Sequence, residues 1–177
     1  MFRPVAKRAL DAGARVRGYL SMVLGDPDEG AVAPDEVADQ GLRLLELGCF
    51  ELSLGDTIGV GTAAGVERLI EAFTRRDVAV GALAVHCHDT YGQGLANVLA
   101  ALRCGVNVVD ASAGGLGGCP FAKSATGNLA TEDLVWMLDG LGITTGVDLR
   151  AVATTSAWVC ERLGKEIPGR VARALQA

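Results

Sequence analysis

The 177-residue chain contains only two histidines, and they stand two positions apart in Val85-His86-Cys87-His88-Asp89-Thr90. Residues i and i+2 of a strand project to the same side. At a strand's C-terminal end this spacing sets two imidazoles side by side. Joined by carboxylate, amide or water oxygens, they suit an octahedral Mn²⁺, Mg²⁺ or Fe²⁺ site, or Zn²⁺. The competing reading puts one imidazole in the core and the other on the surface; the adjacent Asp89 and Thr90 favour the metal pair. Cys87 points the other way, which argues against a cysteine-rich zinc site.

Two further segments carry reactive side chains. Asp56, in Ser53-Leu54-Gly55-Asp56-Thr57, could orient a substrate hydroxyl or exchange a proton, or simply hold its own loop. Cys119 lies in Gly114-Gly115-Leu116-Gly117-Gly118-Cys119-Pro120. Four glycines leading into one thiol describe a loop able to carry sulfur to a ligand. Cys49, Cys104 and Cys160 read instead as small buried apolar residues. The glycine run fits neither the P-loop nor the GxGxxG spacing, so a nucleotide site is disfavoured.

The elements that must position these residues alternate. Val16 to Leu24 reads as a strand, and Pro34-Asp35-Glu36 opens a helix that Gly48 ends. Phe50 to Leu54 is a second strand, followed by a helix that Thr62 caps and that keeps Arg75 and Arg76 in its last turn. Val80 to Val85 is a third strand, Leu95 to Cys104 a helix, and Val106 to Val109 a fourth strand. A glycine-rich loop runs from Ser112 to Ala130. Thr131-Glu132-Asp133 then caps a helix through Leu138, and Leu149 to Leu163 forms the last. Four apolar strands, each followed by a helix, imply a parallel sheet with helices outside. The segments after the strands then gather at one end, where ligands bind.

Composition narrows the function classes. With 16 basic against 21 acidic side chains the net charge is -5, which argues against nucleic acid or an anionic membrane as partner. No apolar run approaches the roughly 20 residues that a bilayer requires. Five scattered cysteines with no CxxC pair read as free thiols in a reducing compartment. The expectation is a cytoplasmic protein, or one of the mitochondrial matrix in a eukaryote.

Four stretches taken together identify a resemblance. Ser53 to Gly61 (SLGDTIGVG), Val85 to Gln93 (VHCHDTYGQ), Gly115 to Ala122 (GLGGCPFA) and Gly127 to Asp133 (GNLATED) closely resemble the hydroxymethylglutaryl-CoA lyases, in order along almost the whole chain. The H-x-H-D element alone points only to the wider metal-dependent lyase and condensing-enzyme barrels. The Gly-Gly-Cys-Pro-Phe element points to the lyases, because the synthases carry Gly-Glu-Arg there.

The resemblance implies a (β/α)8 TIM barrel that cleaves 3-hydroxy-3-methylglutaryl-CoA to acetyl-CoA and acetoacetate. It implies His86, His88 and Asn128 as ligands of Mg²⁺ or Mn²⁺, with His86 and Asp56 in proton transfer. Cys119 becomes the thiol near the forming acetyl-CoA carbanion, and Ser53 and Thr57 line the acyl site. The family's first strand carries an Arg-Asp pair that supplies a catalytic arginine and another metal ligand, and nothing in this chain matches it. Residues 1–14 align instead with the helix before the family's fifth strand. The expectation is therefore an incomplete barrel: residues 1–177 as the C-terminal half, about strands 5–8 with their helices plus a C-terminal helix. Such a half would be inactive alone, expose inward aliphatic faces such as that of Val80 to Val85, and assemble with itself or with a complementary half-barrel. The alternatives are a related acyl-CoA condensing enzyme and a non-catalytic half-barrel that binds a metal or a partner.

Overall fold

The computed structural model describes residues 2–118 and 127–176. Four parallel strands form one sheet in the order β1-β2-β3-β4. They are β1 (Val16–Leu20), β2 (Cys49–Asp56), β3 (Leu83–Cys87) and β4 (Val108–Asp110). Helix α1 (Arg3–Asp11) precedes β1, and α2 (Pro34–Glu46), α3 (Ala63–Thr74) and α4 (Gly94–Arg103) connect the strands. After β4 come α5 (Thr131–Gly140), α6 (Leu149–Leu163) and α7 (Arg170–Gln176). The expected alternation is present, and α7 is an additional helix beyond those expected from the sequence.

Local chemistry explains the boundaries. Pro34 begins α2 with Asp35 and Glu36 in the first turn, and Thr62 Oγ1 accepts the Gly65 amide at 3.3 Å to start α3. Asp148 caps α6 through the Ala151 amide at 3.0 Å, and Gly164 ends it in the left-handed conformation. All four expected strands shift, the second widening from Phe50–Leu54 to Cys49–Asp56. The first stops at Leu20 because Met22 takes a positive φ of 59° and Val23 turns to donate to the Gly55 carbonyl. The third starts only at Leu83, since Val80–Ala82 wind into a single 3-10 turn, and it runs on through His86 to Cys87. The fourth starts at Val108 and ends on Asp110 rather than Val109. Arg75 and Arg76 lie just beyond α3, where they pair with Asp35 and Asp39 of α2 on the surface.

The two sheet faces differ in chemistry. Leu52 and Leu54 of β2 and Leu83, Val85 and Cys87 of β3 pack against Leu69, Ile70 and Phe73 of α3 and Val98 of α4. Each such aliphatic side chain contributes about 1.5–3 kcal/mol by leaving water. The opposite face carries Arg17, Glu51, Ser53, His86 and Asp110, joined to one another by hydrogen bonds and ion pairs. This corrects the expectation of an aliphatic inward face: Leu83 and Val85 turn toward the helices, and alternation leaves Ala84 and His86 on the other side.

Candidate metal centre

His86 is the fourth residue of β3, aligned with Gly55 of β2 and Asp110 of β4. His88 follows one residue after the strand ends, and its ring centroid lies 5.5 Å from that of His86. The i, i+2 expectation holds. His88 is only 5% exposed, whereas the His86 side chain is 31% exposed. Burial, with the neighbouring His86 as a smaller cause, holds the His88 imidazole below its ordinary 6.5. At neutral pH it is uncharged and keeps a lone pair for a cation.

A third donor arrives from the far side of the glycine-rich loop. The amide of Leu129 donates to the Cys87 carbonyl at 3.0 Å and that of Ser112 to the Leu129 carbonyl at 3.0 Å, so residues 127–131 lie between the ends of β3 and β4. This pairs Asn128 with His88. The Asn128 Nδ2 donates to the Leu116 carbonyl at 2.8 Å, which fixes the amide and leaves Oδ1 buried without a partner. Gly127 makes the crossing possible. A Cβ there would stand 2.0 Å from the Gly115 carbonyl oxygen, a backbone atom with nowhere to go.

Buried polar atoms without partners are rare in folded proteins. Two of them, Nδ1 of His88 and Oδ1 of Asn128, belong to residues that the resemblance implies as metal ligands, and the third such residue, His86, has its Nδ1 edge buried toward Asp110. Two imidazoles and an amide oxygen fit a divalent cation with octahedral preference. Among the described residues no three of His, Cys, Asp and Glu converge in a metal-binding cluster. The donor set here is thus two imidazoles and an amide.

The other expected site residues lie elsewhere. Asp56 is the last residue of β2, aligned with Cys87, and so faces the helix layer rather than the histidines. It is 1% exposed and accepts the Gly61 amide at 3.0 Å; burial nevertheless raises its carboxyl above the ordinary carboxylate range. The Asn97 side chain donates to the Gly61 carbonyl at 3.0 Å and holds the same turn from α4. Of the two readings of Asp56, loop-holding is the one its contacts display. Ser53 is fully buried and donates to Asp110 Oδ2 at 2.7 Å. Thr57 Oγ1 accepts the Met22 amide at 2.8 Å, tying the loops after β1 and β2 together. Cys119 lies outside the described residues. Cys87 is inert: burial first, then Asp56 and Asp89, push its thiol up to about 12.

Sequence reasoning missed two groups. Arg17 of β1 reaches Glu51 and, at 2.8 Å, Asp110, although 93 positions separate the last pair. The available signal was an acid closing the apolar Val108-Val109-Asp110 run at a strand's C-terminal end. Glu132 and Asp133, expected to cap α5, are buried at its start instead. Glu132 accepts from the Gly114 amide and Ser156 Oγ, and Asp133 from the amides of Arg170 and Val171, at 2.7–3.1 Å. They fasten α6 and α7 to the loop that leads toward Asn128.

Comparison with known proteins identifies the family. The HMGL-like family model matches residues 1–159. The mitochondrial hydroxymethylglutaryl-CoA lyase of Bos taurus is 53% identical over 173 residues, which are 98% of this chain and 53% of that protein. The crystal structure of hydroxymethylglutaryl-CoA lyase from Pseudomonas aeruginosa superposes with a TM-score of 0.94 at 51% identity, covering 99% of this chain and 58% of that one. An HMG-CoA lyase from Acinetobacter baumannii, solved in complex with coenzyme A and 3-methylmalate, superposes at 0.90 and 36% identity over 98% of this chain and 56% of that one. The chain spans about half the length of the curated relatives it matches. On the family model and the shared fold together, the chain belongs to the HMGL-like family, within the TIM-barrel class of α/β proteins.

Proposed function

We propose that residues 1–177 supply the C-terminal half, about strands 5–8, of a barrel that cleaves 3-hydroxy-3-methylglutaryl-CoA to acetyl-CoA and acetoacetate. The observation that carries this reading is the convergence of His86, His88 and Asn128 at one end of the sheet, with Nδ1 of His88 and Oδ1 of Asn128 buried and unpartnered. These three residues would hold Mg²⁺ or Mn²⁺. When bound, such an ion polarises the tertiary hydroxyl and fixes the substrate's oxygens.

The rest of the chemistry falls to the chain's own groups. The reaction removes the C3 hydroxyl proton, breaks the C2–C3 bond, leaves the electron pair on the thioester enolate and returns a proton to C2. In this reading His86, the more open of the two rings, takes part in the proton transfer by orienting the hydroxyl for loss of its proton, one ring nitrogen facing the cation and the other Asp110. Cys119 returns a proton to the acetyl-CoA carbanion. Ser53 shapes the acyl site from below, through Asp110, and Thr57 from the side, by holding the two loops together. Asp56 assists at one remove, by fixing the turn at Gly61.

The edge strands support the half-barrel reading. Beside β1 runs an apolar groove lined by Val5, Ala9, Leu44 and Leu47, and beside β4 another lined by Leu134, Leu138, Ile143 and Val147. Closure of a barrel covers both edges. The partner in this reading is a complementary half or a second copy of this chain. In composition and relatives the protein suits the cytoplasm, or the mitochondrial matrix of a eukaryote.

Complementation tests the reading. The chain alone is expected to release no acetoacetate from the CoA ester. Mixing it with the separately produced N-terminal half of the Pseudomonas aeruginosa lyase is expected to yield both products in the presence of Mn²⁺. Cleavage by the chain alone overturns the half-barrel part. A stable complex of the two halves that binds Mn²⁺ and remains inactive overturns the lyase part.

A further inference from the structure

We propose that Asp110 is the positioning residue for His86, setting which ring nitrogen carries the proton and which faces the cation. The proposal rests on the metal-site reading of His86 given above. The Nδ1 edge of His86 is buried without a hydrogen-bond partner, and Asp110 Oδ2 stands 3.6 Å from it. A lone pair on Nδ1 would lie close to a carboxylate oxygen and be repelled by it, whereas an N–H there has that oxygen as a nearby acceptor. The geometry therefore selects the Nδ1–H form and leaves the Nε2 lone pair for a ligand. A carboxylate behind a metal-bound imidazole fixes tautomer and ring orientation in the same manner.

Asp110 is itself held in place. Arg17 Nη1 donates to its Oδ1 at 2.8 Å and to Oδ2 at 3.1 Å, and Ser53 Oγ donates to Oδ2 at 2.7 Å. Arg17 also binds Glu51, so one guanidinium serves two carboxylates and the cluster keeps a surplus negative charge. That surplus lies against His86, behind the ring rather than among the ligands. The two anchors come from β1 and β2, and the strand registers place Arg17 beside Glu51 and His86 beside Asp110. Loss of Asp110 would therefore misdirect His86 without removing a ligand.

Substitution Asp110→Asn tests this with little change of volume. Arg17 claims the amide oxygen, so the amide NH₂ faces His86 Nδ1 and favours the opposite tautomer. Nitrogen-15 histidine NMR of the metal-free chain reads the tautomer directly. Only two rings contribute, and His88→Gln assigns them. The expected result is Nδ1–H at His86 in the parent chain, a shift toward Nε2–H in Asp110→Asn, and Mn²⁺ affinity weakened by about 10–100-fold. Nε2–H at His86 in the parent chain overturns the proposal, even if Asp110→Asn fails to fold, as does a folded Asp110→Asn chain with an unchanged tautomer. If the parent chain binds no Mn²⁺, the metal reading fails while the tautomer still decides the role of Asp110.

Discussion

Glu132→Ala is expected to lower the unfolding free energy by about 3–5 kcal/mol in urea titrations. Glu132 is fully buried at the start of α5, and one oxygen accepts both the Gly114 amide at 3.1 Å and Ser156 Oγ at 3.0 Å. Truncation leaves two buried donors unmet, each at about 1–3 kcal/mol, and opens a cavity beside Gly169. A Cβ on Gly169 would stand only 2.3 Å from Glu132 Oε1, so the carboxylate fills that space completely. Burying a carboxylate is itself costly, and its other oxygen has no partner. That cost does not rescue the alanine variant, because the surrounding donors were arranged for an acceptor. Ser156→Ala removes one of the orphaned donors, so the double variant should lose about 1 kcal/mol less than the sum of the singles. Additive losses would show that Ser156 and Glu132 do not act together.

A second large effect is expected at the contact of α2 with α3. Phe73 is fully buried in the helix layer, and Phe73→Ala should cost about 3–5 kcal/mol. Gly41 of α2 sits against that ring: a Cβ there would meet Phe73 Cε1 at 2.4 Å and Leu52 Cδ1 at 3.0 Å. In an open helix, Gly→Ala gains up to about 1 kcal/mol. Here overpacking, at about 1–3 kcal/mol, outweighs that gain, so Gly41→Ala should destabilise. Paired with Phe73→Leu, which withdraws the ring, the same alanine should become neutral or favourable. A chevron or urea midpoint for the four chains of this cycle checks the sign. Stabilisation by Gly41→Ala in the parent background would contradict the packing described.

The order of elements was legible because the strands are apolar and the helices carry their own start signals, such as Pro34 and Thr62. Boundaries failed where composition did not change. Val80-Gly81-Ala82 is as apolar as the strand after it, and nothing in its residue types announces a 3-10 turn. The histidine pair was legible because its spacing is the strand period itself. Asp56 was misplaced because it was read as a loop residue, where parity has no force. Once β2 extends to Asp56, the three-residue separation from Ser53 sends the two side chains to opposite faces. The Arg17–Asp110 contact was beyond local reading, since it depends on the register of three strand pairs. Buried Glu132 and Asp133 illustrate the same limit: acids after a loop have the form of a helix cap, and only the docking of α6 and α7 shows what they bind.

Mn²⁺ titration of the 177-residue chain, followed by electron paramagnetic resonance, tests most directly whether His86, His88 and Asn128 form one divalent-cation centre. One saturable site per chain is expected in the parent. His88→Ala removes a ligand and not merely its support, so affinity should fall by about a hundredfold or more. Asn128→Ala should weaken binding too, and Cys104→Ser, at the end of α4, should leave it unchanged. Parent-level Mn²⁺ binding in a folded His88→Ala chain, or no saturable site in the parent, would contradict the account.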